Sequence, residues 1–282
     1  MKIIDLKTYI VGNPWKNRIF VQLVTDEGLT GLGEATGGLS SKPNLGDVEE
    51  LRPHVIGEDP CQPERVWLKL IKARYHHRST GIAAVEQACW DILAKSLGVP
   101  MWKLFGGKHH PRLRVYANGW YQGPRDPGFF AEKAAEMASR GYTALKFDPF
   151  GGAYKQIDRG SERLAMRIVA AVRRAVGDDV DLLIEAHDRF TVSTAIRLGK
   201  QLEEFRPFWM ETPVRSYDLK CHIEVQRALG FPVVLGEAFH ELRQFAELLQ
   251  ERVIDIVQPE PMHLGPSTAR KAFAVAEAYD AL

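Results

Sequence analysis

The feature that most constrains this chain is a regular alternation of strand-like and helix-like runs through its second half. Short apolar runs at 113–118, 143–147, 181–185, 208–211, 232–236 and 253–258 read as strands. Each is followed by a stretch of helical periodicity, at 129–140, 161–176, 191–205, 218–229, 242–250 and 266–278. Six β-then-α units in succession predict a parallel sheet covered by helices, because parallel strands need crossover connections. No GxGxxG follows any of these strands, which argues against a dinucleotide-binding sheet. A (β/α)8-type barrel is the better expectation, and it places chemistry at the carboxyl ends of the strands.

The first third reads differently. Runs at 3–11, 18–25 and 29–34 are short strands, the last two joined by Asp26-Glu27-Gly28, a hairpin signal. Helical periodicity follows at 47–55, 64–75 and 81–97, and Gly98-Val99-Pro100 stops the last helix. The polar stretch Gly106-Gly107-Lys108-His109-His110-Pro111 is a natural boundary. The expected organisation is therefore an α+β capping domain at 1–112 and a partial barrel at 113–282. A closed barrel takes eight units and this chain supplies six. It is therefore expected to be cut from a longer protein.

Lys plus Arg number 37 and Asp plus Glu 36, so the formal net charge is +1. Such a balance carries no electrostatic footprint for nucleic acid or a membrane surface, and points to a small-molecule partner. The start, Met1-Lys2-Ile3-Ile4-Asp5, lacks the apolar core of a signal peptide, and no run approaches a bilayer span. Cys61, Cys89 and Cys221 show no CxxC spacing and read as inert thiols of a reducing cytoplasm.

Three acids stand at the ends of successive strand runs: Glu185, Glu211 and Glu237, each 26 residues from the next. Acids at one phase of consecutive βα units are expected to converge above the barrel mouth. Crowded carboxylates resist ionisation without a counter-ion. All-oxygen ligation favours Mg²⁺, with Mn²⁺ as the substitute. Taken singly, each acid could instead cap the next helix. His187 follows Glu185 by two residues, so strand alternation would set it on the same face, about 7 Å further on. It is a candidate acid or base. Lys146 and Asp148 share a face in the same way, and Lys146 could stabilise negative charge or pair with an acid. Glu260 ends the sixth run and could be a fourth mouth carboxylate or an exposed loop acid. His76-His77 and His109-His110 read as solvated, and Cys89-Trp90-Asp91 as part of a helix core.

With these residues in view the chain resembles the enolase superfamily, and within it the mandelate-racemase-like acid-sugar dehydratases of the gluconate and galactonate type. The runs that carry the likeness are 116–122 (YANGWYQ), 145–151 (LKFDPFG) and 184–190 (IEAHDRF). The resemblance implies Mg²⁺ held by Glu185, Glu211 and Glu237. It also implies an enediolate intermediate, and a histidine after strand three, here His187, that protonates the departing 3-hydroxyl. Lys146 and Glu260 are the further catalytic candidates, and Asp148 and Arg189 the substrate-binding ones. Related proteins assemble as homo-oligomers. The pattern departs from the family in three places. The usual Glu-Glu-Pro is Glu211-Thr212-Pro213, Glu260 stands where Asp is usual, and the histidine base expected after strand seven would lie beyond Leu282. The expected reaction is dehydration of an aldonic acid to its 2-keto-3-deoxy product. The alternatives are a racemase or epimerase using Lys146, which Asp148 disfavours because a second Lys is usual there, and an inactive metal-binding fragment. Specificity is expected from the loops at 13–18 and 36–42.

Overall fold

Strand β2 (Arg18–Thr25) shows most simply how this chain makes its elements. Ile19, Val21, Leu23 and Thr25 are buried in strict alternation with less buried neighbours, as one covered sheet face demands. It pairs antiparallel with β1 (Ile3–Val11) on one side and β3 (Thr30–Glu34) on the other. The expected hairpin joins β2 to β3, with Gly28 at φ +82° and Thr25 N–H donating to the Leu29 carbonyl at 3.0 Å. The computed structural model describes every residue except Pro14, His77 and Val253. Parts of the 13–18 loop, of the His76-His77 pair and of the sixth strand run therefore lie outside the described residues.

Contacts divide the chain into two compact units. The first comprises Met1–Pro111 with two returning segments, Glu237–Phe245 and Pro259–Val275. Its three-stranded sheet is covered by α1 (Ser41–Val55), α2 (Pro63–Ala73) and α3 (Thr80–Ser96), and the short α4 (Met101–Leu104) follows. Ser79 caps α3 by accepting the Ile82 N–H at 3.3 Å. Gly31 and Gly33 let β3 lie against α3: a Cβ on either would sit 2.0 Å from a carbonyl oxygen, of Ala88 and Ala84 respectively.

The second unit comprises Arg112–Gly236, Ala246–Gln258 and Ala276–Leu282. Here the expected alternation appears. Helix α5 (Pro127–Ser139) precedes β4 (Ala144–Phe147), α6 (Arg159–Val176) and β5 (Asp181–Glu185). Then come α7 (Val192–Leu202) with a 3-10 turn at Glu203–Phe205, β6 (Trp209–Glu211), α8 (Leu219–Ala228) and β7 (Val233–Val234). The strands form one parallel sheet in the order β4-β5-β6-β7. Asp126, Asp158, Thr191 and Asp218 each cap the helix that follows by accepting a backbone N–H. Helices α9 (Leu242–Gln250) and α11 (Pro266–Ala278) contribute residues to both units, and α10 (Pro261–Leu264) lies in the first.

Four of the six expected parallel strands are therefore present. Among the described residues the other two are reduced to single bridges, Ala117 with Leu145 and Val257 with Leu235. The run at 113–118 stays outside the sheet except at Ala117, and Leu113 and Val115 are well exposed. Val257 N–H donates instead to the Leu282 carbonyl at 2.8 Å. Among the described residues no helix is long and apolar enough to cross a membrane.

Candidate active site at the carboxyl ends of the parallel strands

Register places the chemistry. Lys146, Leu183 and Trp209 are level partners across β4, β5 and β6, and Glu185 and Glu211 pair two residues further along, at the last residue of each strand. Beside them Ala144, Leu183, Trp209 and Val234 form an apolar cluster. The Lys146 ammonium reaches up between the two acids, donating to Glu185 Oε2 at 2.7 Å and Glu211 Oε1 at 2.6 Å. All three side chains are buried, Glu185 at 2% exposure and Glu211 at 1%. Trp209 Nε1 donates to Glu211 Oε2 at 3.2 Å, and the His187 N–H to Glu185 Oε1 at 2.9 Å. The Tyr116 ring lies 5.7 Å from the ammonium.

One cation thus serves two anions. Burial disfavours the charged form of Lys146, but Glu185 and then Glu211 outweigh it and hold the ammonium well above its ordinary range. Such a lysine is a poor base. Burial would also raise Glu185, yet the Lys146 charge keeps it below the usual carboxylate range. Glu211 is pushed up to about 7, first by burial and then by the charge of Glu185. The two acids titrate as a pair sharing one counter-charge.

A second network sits beside the first. Strand β5 stops at Glu185, and His187 and Asp188 both turn left-handed, at φ +51° and +61°. Strand alternation therefore does not govern His187. Its ring stays half-exposed, with Nδ1 3.0 Å from Asp148 Oδ2. The bond to Asp148 raises the imidazole above its ordinary range against the opposing effect of burial. Burial would raise Asp148 in turn, and bonding to His187 and the charge of Arg189 bring it down instead.

The sequence-derived candidates are sorted differently by the structure. Lys146, Glu185 and Glu211 come together, as do His187, Asp148 and Arg189. Asp148 and Arg189, expected to touch substrate, are taken up by the protein. Asp148 accepts from the Phe150 N–H at 2.8 Å and from both His187 and Arg189. Arg189 donates to Asp148 and to the carbonyls of Gly151 and Ala186. They orient the turn that carries His187.

Glu237 does not extend the row of strand-end acids. The register partner of Glu211 in β7 is Val234, so Glu237 comes three residues past that level, exposed, in the first unit. The equal 26-residue spacing hid a β7 that ends early. Among the described residues no group of three or more His, Cys, Asp or Glu side chains is gathered to share a metal ion. Glu260 likewise lies in the first unit, where its Oε1 accepts the Met262 N–H at 3.0 Å and caps α10. It takes the capping role always open to an acid ahead of a helix. Trp209 and Tyr116 were not singled out from the sequence. Period-two spacing from Glu211 would have found Trp209. His263, whose Nδ1 lies 2.8 Å from the Glu237 carbonyl, carried no local signal.

The model for the mandelate racemase/muconate lactonizing enzyme N-terminal domain matches residues 12–106, and that for the enolase C-terminal domain-like family matches 130–282. This chain belongs to the enolase superfamily. Its fold is the superfamily's, a capping domain with a TIM-like barrel, α/β in class and built on a parallel sheet. It is similar to the D-gluconate dehydratase of Thermoproteus tenax, 38% identical over 267 residues. That alignment takes in 93% of this chain, which spans only 54% of the length of the T. tenax protein. The D-gluconate/D-galactonate dehydratase of Picrophilus torridus is 32% identical over 277 residues, 96% of this chain and 71% of that one. Among solved structures, a mandelate racemase/muconate lactonizing enzyme-like protein from Roseovarius sp. TM1035 superposes with TM-score 0.91 at 33% identity, covering all of this chain and 77% of that one. A member of the enolase superfamily from Salmonella Typhimurium gives TM-score 0.92 at 27% identity, covering 99% and 79%.

Proposed function

We propose that this enolase-superfamily chain takes part in dehydrating an aldonic sugar acid of the gluconate or galactonate type to a 2-keto-3-deoxy acid, through an enediolate. The observation that carries the reading is the buried Glu185–Lys146–Glu211 cluster at adjacent strand ends, beside a histidine whose Nδ1 bonds to Asp148. The names of the relatives supply the substrate class. We propose residues 1–112 as the capping domain and 113–282 as the barrel portion, with homo-oligomeric assembly as in related proteins.

The donors fit a divalent cation in chemistry and charge. Two buried carboxylates share a single ammonium, and one is forced to about 7, so the pair is short of positive charge. Oxygen donors suit Mg²⁺ or Mn²⁺. Glu185 and Glu211 would hold the ion. When bound, the ion would supply positive charge for the substrate carboxylate and for the charge that develops as the C2 proton passes to a general base, which the resemblance places on a histidine after strand seven. Lys146 remains an ammonium and adds positive charge below the same volume. His187, protonated against Asp148, gives its proton to the 3-hydroxyl as the C3–O bond breaks, and water departs. A racemase reading needs Lys146 as a neutral base, which its two carboxylates oppose.

The test is incubation with gluconate and galactonate in D₂O containing Mg²⁺, following deuterium at C2 and 2-keto acid together. His187→Asn is expected to lose elimination by at least about 100-fold, the scale of one proton-transfer group, while C2 exchange persists. Loss of both would show that His187 is not the leaving-group acid. Exchange without elimination in the unaltered protein would favour the epimerase reading.

A further inference from the structure

Glu86 is wholly buried in the middle of α3, yet among the described residues no Lys, Arg or His pairs with it. Its Oε1 accepts from two donors: the Ser267 N–H at 3.2 Å, 181 residues away, and Trp90 Nε1 at 3.3 Å. The same indole N–H reaches Ser267 Oγ at 3.1 Å. Among the described residues Oε2 has no hydrogen-bond partner. It lies against Gly265, where a Cβ would fall 1.9 Å away and where φ is +76°. The carboxyl thus closes a clasp between α3 and the turn that joins α10 to α11, inside the first unit. A cavity of about 230 Å³ opens beside it, lined by Trp90, Phe105 and Ser267 among others.

We propose that Glu86 is a protonated, neutral clasp that fixes the Gly265–Ser267 turn against α3, and that its ionisation loosens this turn. An isolated buried carboxylate costs far more than a buried carboxylic acid, and two neutral N–H donors do not replace a cation. Burial is the first cause of the upward push on Glu86, to about 7, and the bonds from Ser267 and Trp90 oppose it only in part.

The charged and titratable groups around α3 reinforce this. Glu64 of α2 adds its charge against ionisation and is itself paired with Lys271 of α11 at 2.8 Å. Cys89, on α3 itself, is buried and held far above the ordinary thiol range, so it stays neutral. On β3, Glu34 is paired with Arg18 at 3.1 Å, and on α1 Asp47 with Arg74 at 2.8 Å. On α4, Lys103 lies over the Trp102 ring. On α10, Glu260 is spent as the cap and His263 on the Glu237 carbonyl. Arg270 of α11 lies over the Phe105 ring at 5.9 Å.

The sign follows from linkage. The unfolded chain ionises Glu86 near the ordinary glutamate value of 4.5 and the folded chain near 7. Its stabilising contribution is complete below 4.5, falls as pH rises to 7, and is absent above. Between those limits the folded-to-unfolded ratio is expected to fall on the order of 100-fold relative to Glu86→Gln, which mimics the protonated acid at every pH. The experiment uses the full chain. A ¹³C-carboxyl titration, assigned by difference with Glu86→Gln, should give a midpoint near 7. Hydrogen exchange at the Ser267 amide, corrected for intrinsic rate, should speed up across the same range in the unaltered chain and stay flat in Glu86→Gln. A midpoint in the ordinary carboxylate range, or Ser267 protection that ignores pH, would overturn the proposal. The titration reads the unaltered chain, so it decides even if the variant fails to fold.

Discussion

Glu86 and Glu185 are both buried acids, exposed at 0% and 2%, yet the fold drives them in opposite directions. Glu185 has an ammonium at 2.7 Å and is held ionised. Glu86 has two neutral donors and is pushed up to about 7. Glu211 stands between them: it shares the same ammonium but faces a second carboxylate, and also reaches about 7. Burial sets the cost of a charge, and the count of cations within reach decides whether that cost is met. In the first unit the surplus is settled by a proton. At the strand ends it is settled by Lys146, with room in the charge balance for a further cation.

The largest effect that would break this comparison comes from Lys146→Met. Removing the shared cation leaves two buried carboxylates facing each other, which is expected to cost about 3–5 kcal/mol in urea unfolding at pH 8. Mg²⁺ should restore part of the loss by taking the place of the ammonium charge. A cost below about 1 kcal/mol would mean that the carboxylates already relax or protonate freely. A smaller effect is expected from Trp90→Phe, which keeps the aromatic contact with Phe105 but removes the one indole N–H shared by Glu86 and Ser267. It should cost about 1–3 kcal/mol, the range for a buried group left short of a partner. The cost should grow above pH 7 as Glu86 ionises. A loss that does not vary with pH would separate Trp90 from Glu86.

The smallest effect should come from Glu211→Gln. It removes the surplus carboxylate and leaves Lys146 paired one-to-one with Glu185. Stability without metal is expected to stay within about 1 kcal/mol of the unaltered chain, because pair repulsion is relieved as one bond is weakened. Its stabilisation by Mg²⁺ should disappear. A Mg²⁺ response that persists in Glu211→Gln would remove Glu211 from the ligand set.

Much of this was legible beforehand, and the reason is range. The β2–β3 hairpin, the ends of α9 and α11 and the alternation in the second unit rest on side-chain period and on turn residues within a few positions. Glu185 and Glu211 were legible as strand-end acids for the same reason. The readings that failed depended on partners. The 113–118 run has the apolar pattern of a strand and only one bridge to use it. Glu237 has the spacing of a strand-end acid, but β7 ends at Val234. His187 was placed by alternation, yet the strand stops two residues earlier.

By itself, then, the sequence determined the family, the parallel α/β plan and the two acids that close β5 and β6, because each is written in short-range pattern. Only the tertiary structure decided what those acids meet. Lys146 reaches Glu185 across 39 residues and Glu211 across 65, and Glu86 meets Ser267 across 181. No local period encodes such pairings. They follow from strand register and helix packing, and the burial that packing imposes is what turns an ordinary carboxyl into an ion, a shared anion or a neutral acid.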